Sequence, residues 1–455
     1  MNSNIRGRAT SVARLAMIAG AAALVVACSP TEILEVEDPD IISPGNVQSS
    51  AGAEAVRLGA LSRFNGATSG DESLFFLGGL FSDEWVNGDS FIARQEVDQR
   101  VITPENTFVT AANRQLHRAR LAAQQAVTLI RAYSPSAPGW HVGEMLMIQA
   151  YTITLLAEHF CDGLVISDVV DGREEYGSPM TTAAAFERAL GLADEGLAAV
   201  TGSTANDVRV RHALALTRGR ILTDLNRHQE AAAAVAGIPT DYQYLMYHGQ
   251  TTWSNAFWTW NLNSRRYSVG DHEGTNGMDF VSARDPRIPV CAGGDAACKA
   301  IGVSRADRDD LTRPFNVLML WPTREGSIAI MRGVDARMIE AEARLKGGDA
   351  GGALTLLNAA RATKELAPLD DAGSPDSRVR QLFRERAFWQ YGRGYRTGDL
   401  RRLIRQYGQD QTTVFPTGAW HKGGNYGVDV TMPVPQAEQN NPMLGIGQSC
   451  MARGA

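Results

Sequence analysis

The stretch "VDARMIEAEARLKGGDAGGALTLLNAARA", Val334 to Ala362, decides the fold. Val334, Met338, Ala341 and Leu345 step by four, three and four residues, which places them on one face of a helix. Gly347-Gly348 ends that helix, because glycine adopts the left-handed cap conformation without steric cost. Asp349 then supplies an N-cap for a second helix, along which Ala353, Leu357 and Ala360 repeat the apolar stripe. Two antiparallel helices joined by a tight turn are predicted. Neither can bury its apolar face alone, so such pairs stack on one another.

The same unit precedes it in "RHALALTRGRILTDLNRHQEAAAAVAGIP", Arg211 to Pro239. Leu214, Ile221 and Leu225 share a stripe, the chain turns at Asn226-Arg227-His228, and a second helix stops before Pro239. Leu225-x-Arg227-x-x-Glu230-Ala231 resembles the turn of a tetratricopeptide helix pair, as does Leu345 to Leu354. Further helices are predicted over Ala111–Arg131, His141–Phe160, Thr181–Val200, Arg378–Tyr391 and Gly398–Tyr407. The fold class is therefore mainly α, a tetratricopeptide-like α-α superhelix. Asp241–Ser327 and Gln411–Ala455 lack a sustained helical period and are rich in Gly, Pro, Asn and aromatics. Long loops of that kind form a functional layer on a scaffold, and their aromatic content argues against disorder.

At the N-terminus, Arg6, Arg8 and Arg14 precede the apolar run Leu15–Val26, the layout of a secretory signal. The run is shorter than the ~20 residues a spanning helix needs. Val25-Val26-Ala27-Cys28 looks like a bacterial lipobox, which would make Cys28 a lipidated first residue and attach the chain to a membrane. Loss of residues 1–27 removes three of the 44 basic residues and none of the 50 acids, giving 41 − 50 = −9. An acidic chain lacks the footprint of a nucleic-acid binder. The predicted organisation is a signal segment (1–27), a lipidated tether and leading segment (28–50) and N-terminal helical repeats (51–240). An irregular aromatic-rich region (241–330), C-terminal helix pairs (331–410) and a loop-rich segment packing on the scaffold (411–455) follow.

Four other cysteines remain, and an exported chain sits where disulfides persist. Cys291 and Cys298 bracket "AGGDAA", a loop able to close a local bridge, which would leave Cys161 with Cys450. Four cysteines allow three connectivities, and spacing does not choose among them. No CxxC spacing or histidine pair marks a metal site, and neither metal nor cofactor is expected. "DHEGTNGMD", Asp271–Asp279, offers oxygen ligands that could suit calcium, but a polar turn is the stronger reading. No G-x-S-x-G, H-E-x-x-H or Walker A motif occurs, and no carboxylate pair stands out for glycoside hydrolysis, so no catalytic residue is assigned.

The unusual concentration is aromatic. "TTWSNAFWTWNLNSRRY" holds Trp253, Phe257, Trp258 and Trp260 within eight residues, with Tyr267 shortly after. Asn255, Asn261, Asn263, Arg265 and Arg266 are interleaved with them. Flat rings suit the apolar C–H faces of sugars, and Asn and Arg suit their hydroxyls. Trp85, in "FSDEWVNGDSF", is a further ligand-binding candidate, whereas Phe75, Phe76 and Phe81 beside it read as core. The competing reading is that these rings only pack the loop layer onto the helices.

Several stretches together resemble the SusD/RagB family of nutrient-uptake outer-membrane lipoproteins. They are Leu34-Glu35-Val36-Glu37-Asp38-Pro39, "AYTITLLAEHFCDG" (Ala150–Gly163), and "MRGVDARMIEAEARLKGG" followed by "ALTLLNAAR". "RERAFWQYGRGYRTGDLRRL" (Arg384–Leu403) and "MPVPQAEQNNP" (Met432–Pro442) complete the order. The resemblance implies an outward-facing, lipid-anchored helical scaffold on the cell outer membrane. It would cap a SusC-like TonB-dependent β-barrel transporter and hand it glycans or other oligomeric nutrients, without catalysis. Ligand contacts in that family lie in variable loops, so none carries over by position. The alternative from the helical repeats alone is a scaffold lipoprotein for envelope protein assembly.

Overall fold

The structure, a computed structural model, describes residues 47–170, 173–302, 315–445 and Cys450. Cys28, its signal segment and most of the tether lie outside the described residues. From Ser49 onward the chain forms one compact unit.

Helix α1 (Ser50–Thr68) starts where the Ser49 hydroxyl accepts the Gly52 N–H at 3.0 Å. α2 (Leu74–Phe81) is apolar all round and wholly buried, as a helix with no polar face must be. After strand β1 (Trp85–Asn87) and α3 (Ile92–Gln99) comes α4 (Thr107–Tyr133), capped by Asn106 on the Phe108 and Val109 N–H groups. α5 (Gly139–His159), the hairpin β2 (Asp168–Val170) and β3 (Arg173–Glu175), α6 (Thr182–Ala199), α7 (Ala205–Asp224) and α8 (His228–Val235) follow. α7 opens with a reciprocal capping box between Thr204 and Asp207.

The chain then makes its long excursion. Strand β4 (Gln243–Met246) leaves the helices, and β5 (Tyr267–Val269), β6 (Val290–Cys291) and β7 (Val317–Leu318) lie within the loop layer. β8 (Ile328–Arg332) returns and pairs antiparallel with β4, Gln243 opposite Arg332 and Met246 opposite Ile328. The excursion thus closes on itself, and α9 (Gly333–Lys346) resumes the stack by packing on α8. α10 (Ala350–Ala362), α11 (Pro375–Trp389) and α12 (Arg396–Tyr407) complete it. From α4 to α10 successive helices pack on one another, and α1 packs on α4, which makes the architecture a mainly helical, tetratricopeptide-like stack. At the α9–α10 turn Gly348 takes φ +84° and the Asp349 carboxylate accepts the Gly352 N–H at 2.8 Å. The irregular region contains two-stranded ladders and a π-helical turn, Trp258–Asn263, that its sequence does not announce. Ladders of two to five residues are too short to leave a period.

Two kinds of core hold the layers together. Phe76 of α2 is ringed by Trp85, Phe257 and Tyr267 at 4.8–5.1 Å, which fastens the loop layer to the helices. The second core is ionic. Arg386 and Arg402 share Asp399, Arg402 also grips Glu342 of α9, Arg393 holds Asp335, and Arg396 holds Asp83. All these side chains are under a tenth exposed. Disulfides join Cys161 to Cys450 and Cys291 to Cys298. Phe160 also bridges Met432, and the Cys161 N–H donates to the Met432 carbonyl, so the C-terminal segment lies against the end of α5.

Candidate functional site

Five of the six aromatic candidates lie away from a large cleft that, among the described residues, is lined by Trp140, Tyr244, Tyr247 and Trp253. Trp85 and Tyr267 are fully enclosed and Phe257 is 2 % exposed, so none has a face open to a ligand. Their assignment as ligand-binding residues is corrected to packing. The cause is α2: an apolar helix under the loop layer needs rings above it, and these three supply them. Trp258 and Trp260 are half-buried on the π-helical turn, with the Arg94 guanidinium 5.3 Å from the Trp260 ring. Trp253 alone reaches the cleft.

That cleft is open and holds about 620 Å³, within the range of ligand sites. One wall is the face of α1 that carries Arg57, Leu61 and Asn65 at helical spacing. The opposite wall is β4 with Tyr247 and His248 beyond it. Asn65 fixes the two walls to each other by donating to the Tyr247 carbonyl at 2.7 Å. Tyr247 itself is 71 % exposed. Trp253 closes one end and Trp140, in the first turn of α5, the other.

Each tryptophan is held. The Trp253 indole N–H donates to the Ser62 hydroxyl at 3.2 Å. Its ring lies against Gly66 and its Cβ against Gly70, where any side chain would come within 2.7 and 2.6 Å of it. Only glycine leaves room there. Trp140 has the Arg57 guanidinium 5.2 Å and that of Arg209 6.0 Å from its ring.

The Trp140 end is charged. Glu144 is buried beneath it, with Oε2 accepting from Arg57 Nη1 at 2.8 Å. Its Oε1 accepts from Arg209 Nη2 at 2.8 Å and from the Tyr244 hydroxyl at 3.0 Å. Arg57 is also forked onto Glu54 at 2.8 Å. Burial works to lower the pKa of Arg57 and Arg209, but the carboxylates beside them more than reverse this and both are raised. Burial raises Tyr244 well above its ordinary value, with Glu144 adding to it. At the other end Nδ1 of His248 lies 3.0 Å from the Gly326 carbonyl and Nε2 3.1 Å from that of Ser69. Burial lowers the His248 pKa, against the pull of those two carbonyls.

Among the described residues no cluster of His, Cys, Asp and Glu is arranged for a metal. In "DHEGTNGMD", Asp271 Oδ1 accepts the Val281 and Ser282 N–H groups at 3.1 and 3.0 Å, as in a polar turn. No described helix is long and apolar enough to cross a membrane. Sequence reading missed Trp140, Tyr247, Arg57 and Arg209. Trp140 follows the helix-starting pair Pro138-Gly139, a position that leaves a ring at the edge of the stack. The two arginines carried no such signal.

No family model matches the sequence, and no curated protein does. Solved structures do. A SusD-like carbohydrate binding protein from Bacteroides fragilis covers 88 % of this chain and 99 % of its own, at 15 % identity and TM-score 0.65. The chain has a SusD-like fold. A SusD superfamily protein from Bacteroides vulgatus matches with TM-score 0.62 and 14 % identity over 87 % of this chain and 98 % of its own. A laminarin binding SusD-like protein matches with TM-score 0.59 and 15 % identity over 87 and 98 %.

Proposed function

We propose that this SusD-like chain binds oligomeric nutrients, glycans above all, and passes them to a TonB-dependent outer-membrane transporter. It would do so as an outward-facing lipoprotein fastened through Cys28. The cleft carries this reading: two held tryptophans flank a trough lined by Asn65, Gln243, Asn206 and Tyr247. Rings of this kind stack on sugar C–H faces while amides and a phenol meet the hydroxyls. Two structural neighbours described as carbohydrate binding and laminarin binding lend it support. No group in the cleft pairs an acid with a base at a free position, because Glu144 is occupied by three donors. The reading is therefore of binding and not of hydrolysis.

Calorimetry of the full chain against a panel of oligosaccharides tests it. A member of the panel should bind, and Trp140→Ala with Trp253→Ala should weaken it by about 2 kcal/mol or more, roughly thirtyfold in Kd. Binding that survives the double variant would remove the cleft from the proposal. Capture from gently solubilised membranes should bring down a β-barrel transporter, and Cys28→Ala should lose it.

A further inference from the structure

The two ends of the cleft differ in charge, and the difference bears on which glycan it takes. This rests on the binding reading above. Arg57 sits beneath Trp140, and Gly66 beneath Trp253. They are nine residues apart on α1, about 13 Å at 1.5 Å per residue. An oligomer spanning both rings therefore meets two different surroundings. The Trp253 end offers Ser62, Asn65, Thr252 and His248, none of them a fixed charge. At the Trp140 end the charges are fixed and unequally presented.

Glu144 has 2 % of its side chain exposed and Arg57 7 %, so both serve as foundation. Arg209 has 34 % exposed. Its Nη2 is tied to Glu144, and its Nε has a 3.5 Å contact with Asn206. Arg209 itself lines the cleft, and its guanidinium is held by a carboxylate that is buried. A guanidinium so held is preorganised for a planar two-oxygen acceptor, and Trp140 beside it supplies a stacking face for the ring bearing that acceptor. We infer that the cleft takes an acidic oligosaccharide, with a uronate unit stacked on Trp140, its carboxylate on Arg209, and the following units running toward Trp253.

The test is calorimetry of the full chain with tetragalacturonate, its methyl ester, a neutral oligosaccharide of equal length and tetraglutamate. Tetragalacturonate should bind most tightly, and esterification should cost roughly tenfold or more in Kd, as loss of a charge-assisted hydrogen bond does. Arg209→Gln should cost the acid form a similar factor and the ester several-fold less, which narrows the ratio between them. Arg209→Lys, which keeps the charge and the hold on Glu144, should retain part of the preference, guarding against a folding defect in the Gln variant. Raising salt should weaken the acid form selectively. If neutral sugar and acid bind alike, or Arg209→Gln leaves the ratio unchanged, the acidic class is wrong while glycan binding stands. If only tetraglutamate binds, the site takes an acidic peptide and the sugar class fails. If none of the four binds while another member of the oligosaccharide panel does, the acidic class fails and glycan binding stands.

Discussion

Arg402 and Arg209 carry the same guanidinium and both lean on a buried carboxylate, yet one is 2 % exposed and the other 34 %. Around Arg402 every partner is interior: Glu342, Asp399 and, at 3.6 Å, Asp224. Arg386 extends the same lattice, and the Tyr407 hydroxyl donates to Glu342 at 2.7 Å. Here charge locks α9, α11 and α12 in one register. Around Arg209 the carboxylate is interior but the guanidinium is not, so the same pairing orients a donor instead of consuming it. Burial of the cation, more than the presence of an ion pair, separates scaffold from site.

The sharpest way to break that contrast is to remove the shared anion of the lattice. Glu342→Ala leaves Arg402 with Asp399 and Asp224 alone and Tyr407 without its acceptor. Stripping one partner from a buried ion pair costs about 3–5 kcal/mol. The denaturant midpoint should fall accordingly, while ligand affinity of the remaining folded protein stays unchanged. A stability loss under 1 kcal/mol would show that the lattice is not what holds these helices.

Acid offers a second, smaller test of the same region. Burial works to raise Glu342 and Asp399, but Arg402 and Arg386 more than reverse it and hold each at about 2. Their ordinary values are 4.5 and 3.8, so the unfolded chain takes up protons first as pH falls. The stabilisation is fully present above pH ~5 and is lost toward pH 2, of order 3 kcal/mol for Glu342. Denaturant midpoints at descending pH should show this decline, and the Glu342→Ala variant should show less of it. Equal declines in both proteins would assign the acid sensitivity elsewhere.

The contrast also explains what could be read in advance. The stack was legible because Val334, Met338, Ala341 and Leu345 repeat with the helix, and the turn at Gly347-Gly348-Asp349 names its own geometry. The aromatic run was legible as a concentration but not as a site. Phe257 and Trp253 are four residues apart, yet one packs on Phe76 of α2 and the other lies against Gly66 at the cleft. Arg209 and Arg402 look alike in sequence, because the exposure that separates them is a property of packing between distant segments.

Gly66→Ala separates the two regions most finely, because it alters the cleft without touching the ionic lattice. In a helix, glycine to alanine gains about 1 kcal/mol of propensity. Against that, the new Cβ would stand 2.7 Å from the Trp253 ring, which must tilt away from α1. The melting temperature should therefore change little, the two effects opposing each other, while oligosaccharide affinity falls as the platform moves. Tryptophan fluorescence should shift if the ring has moved. Affinity unchanged alongside a shifted spectrum would mean the ligand follows the ring. Affinity unchanged with no spectral shift would mean the helix yields instead, and that the glycine matters to packing and not to the trough.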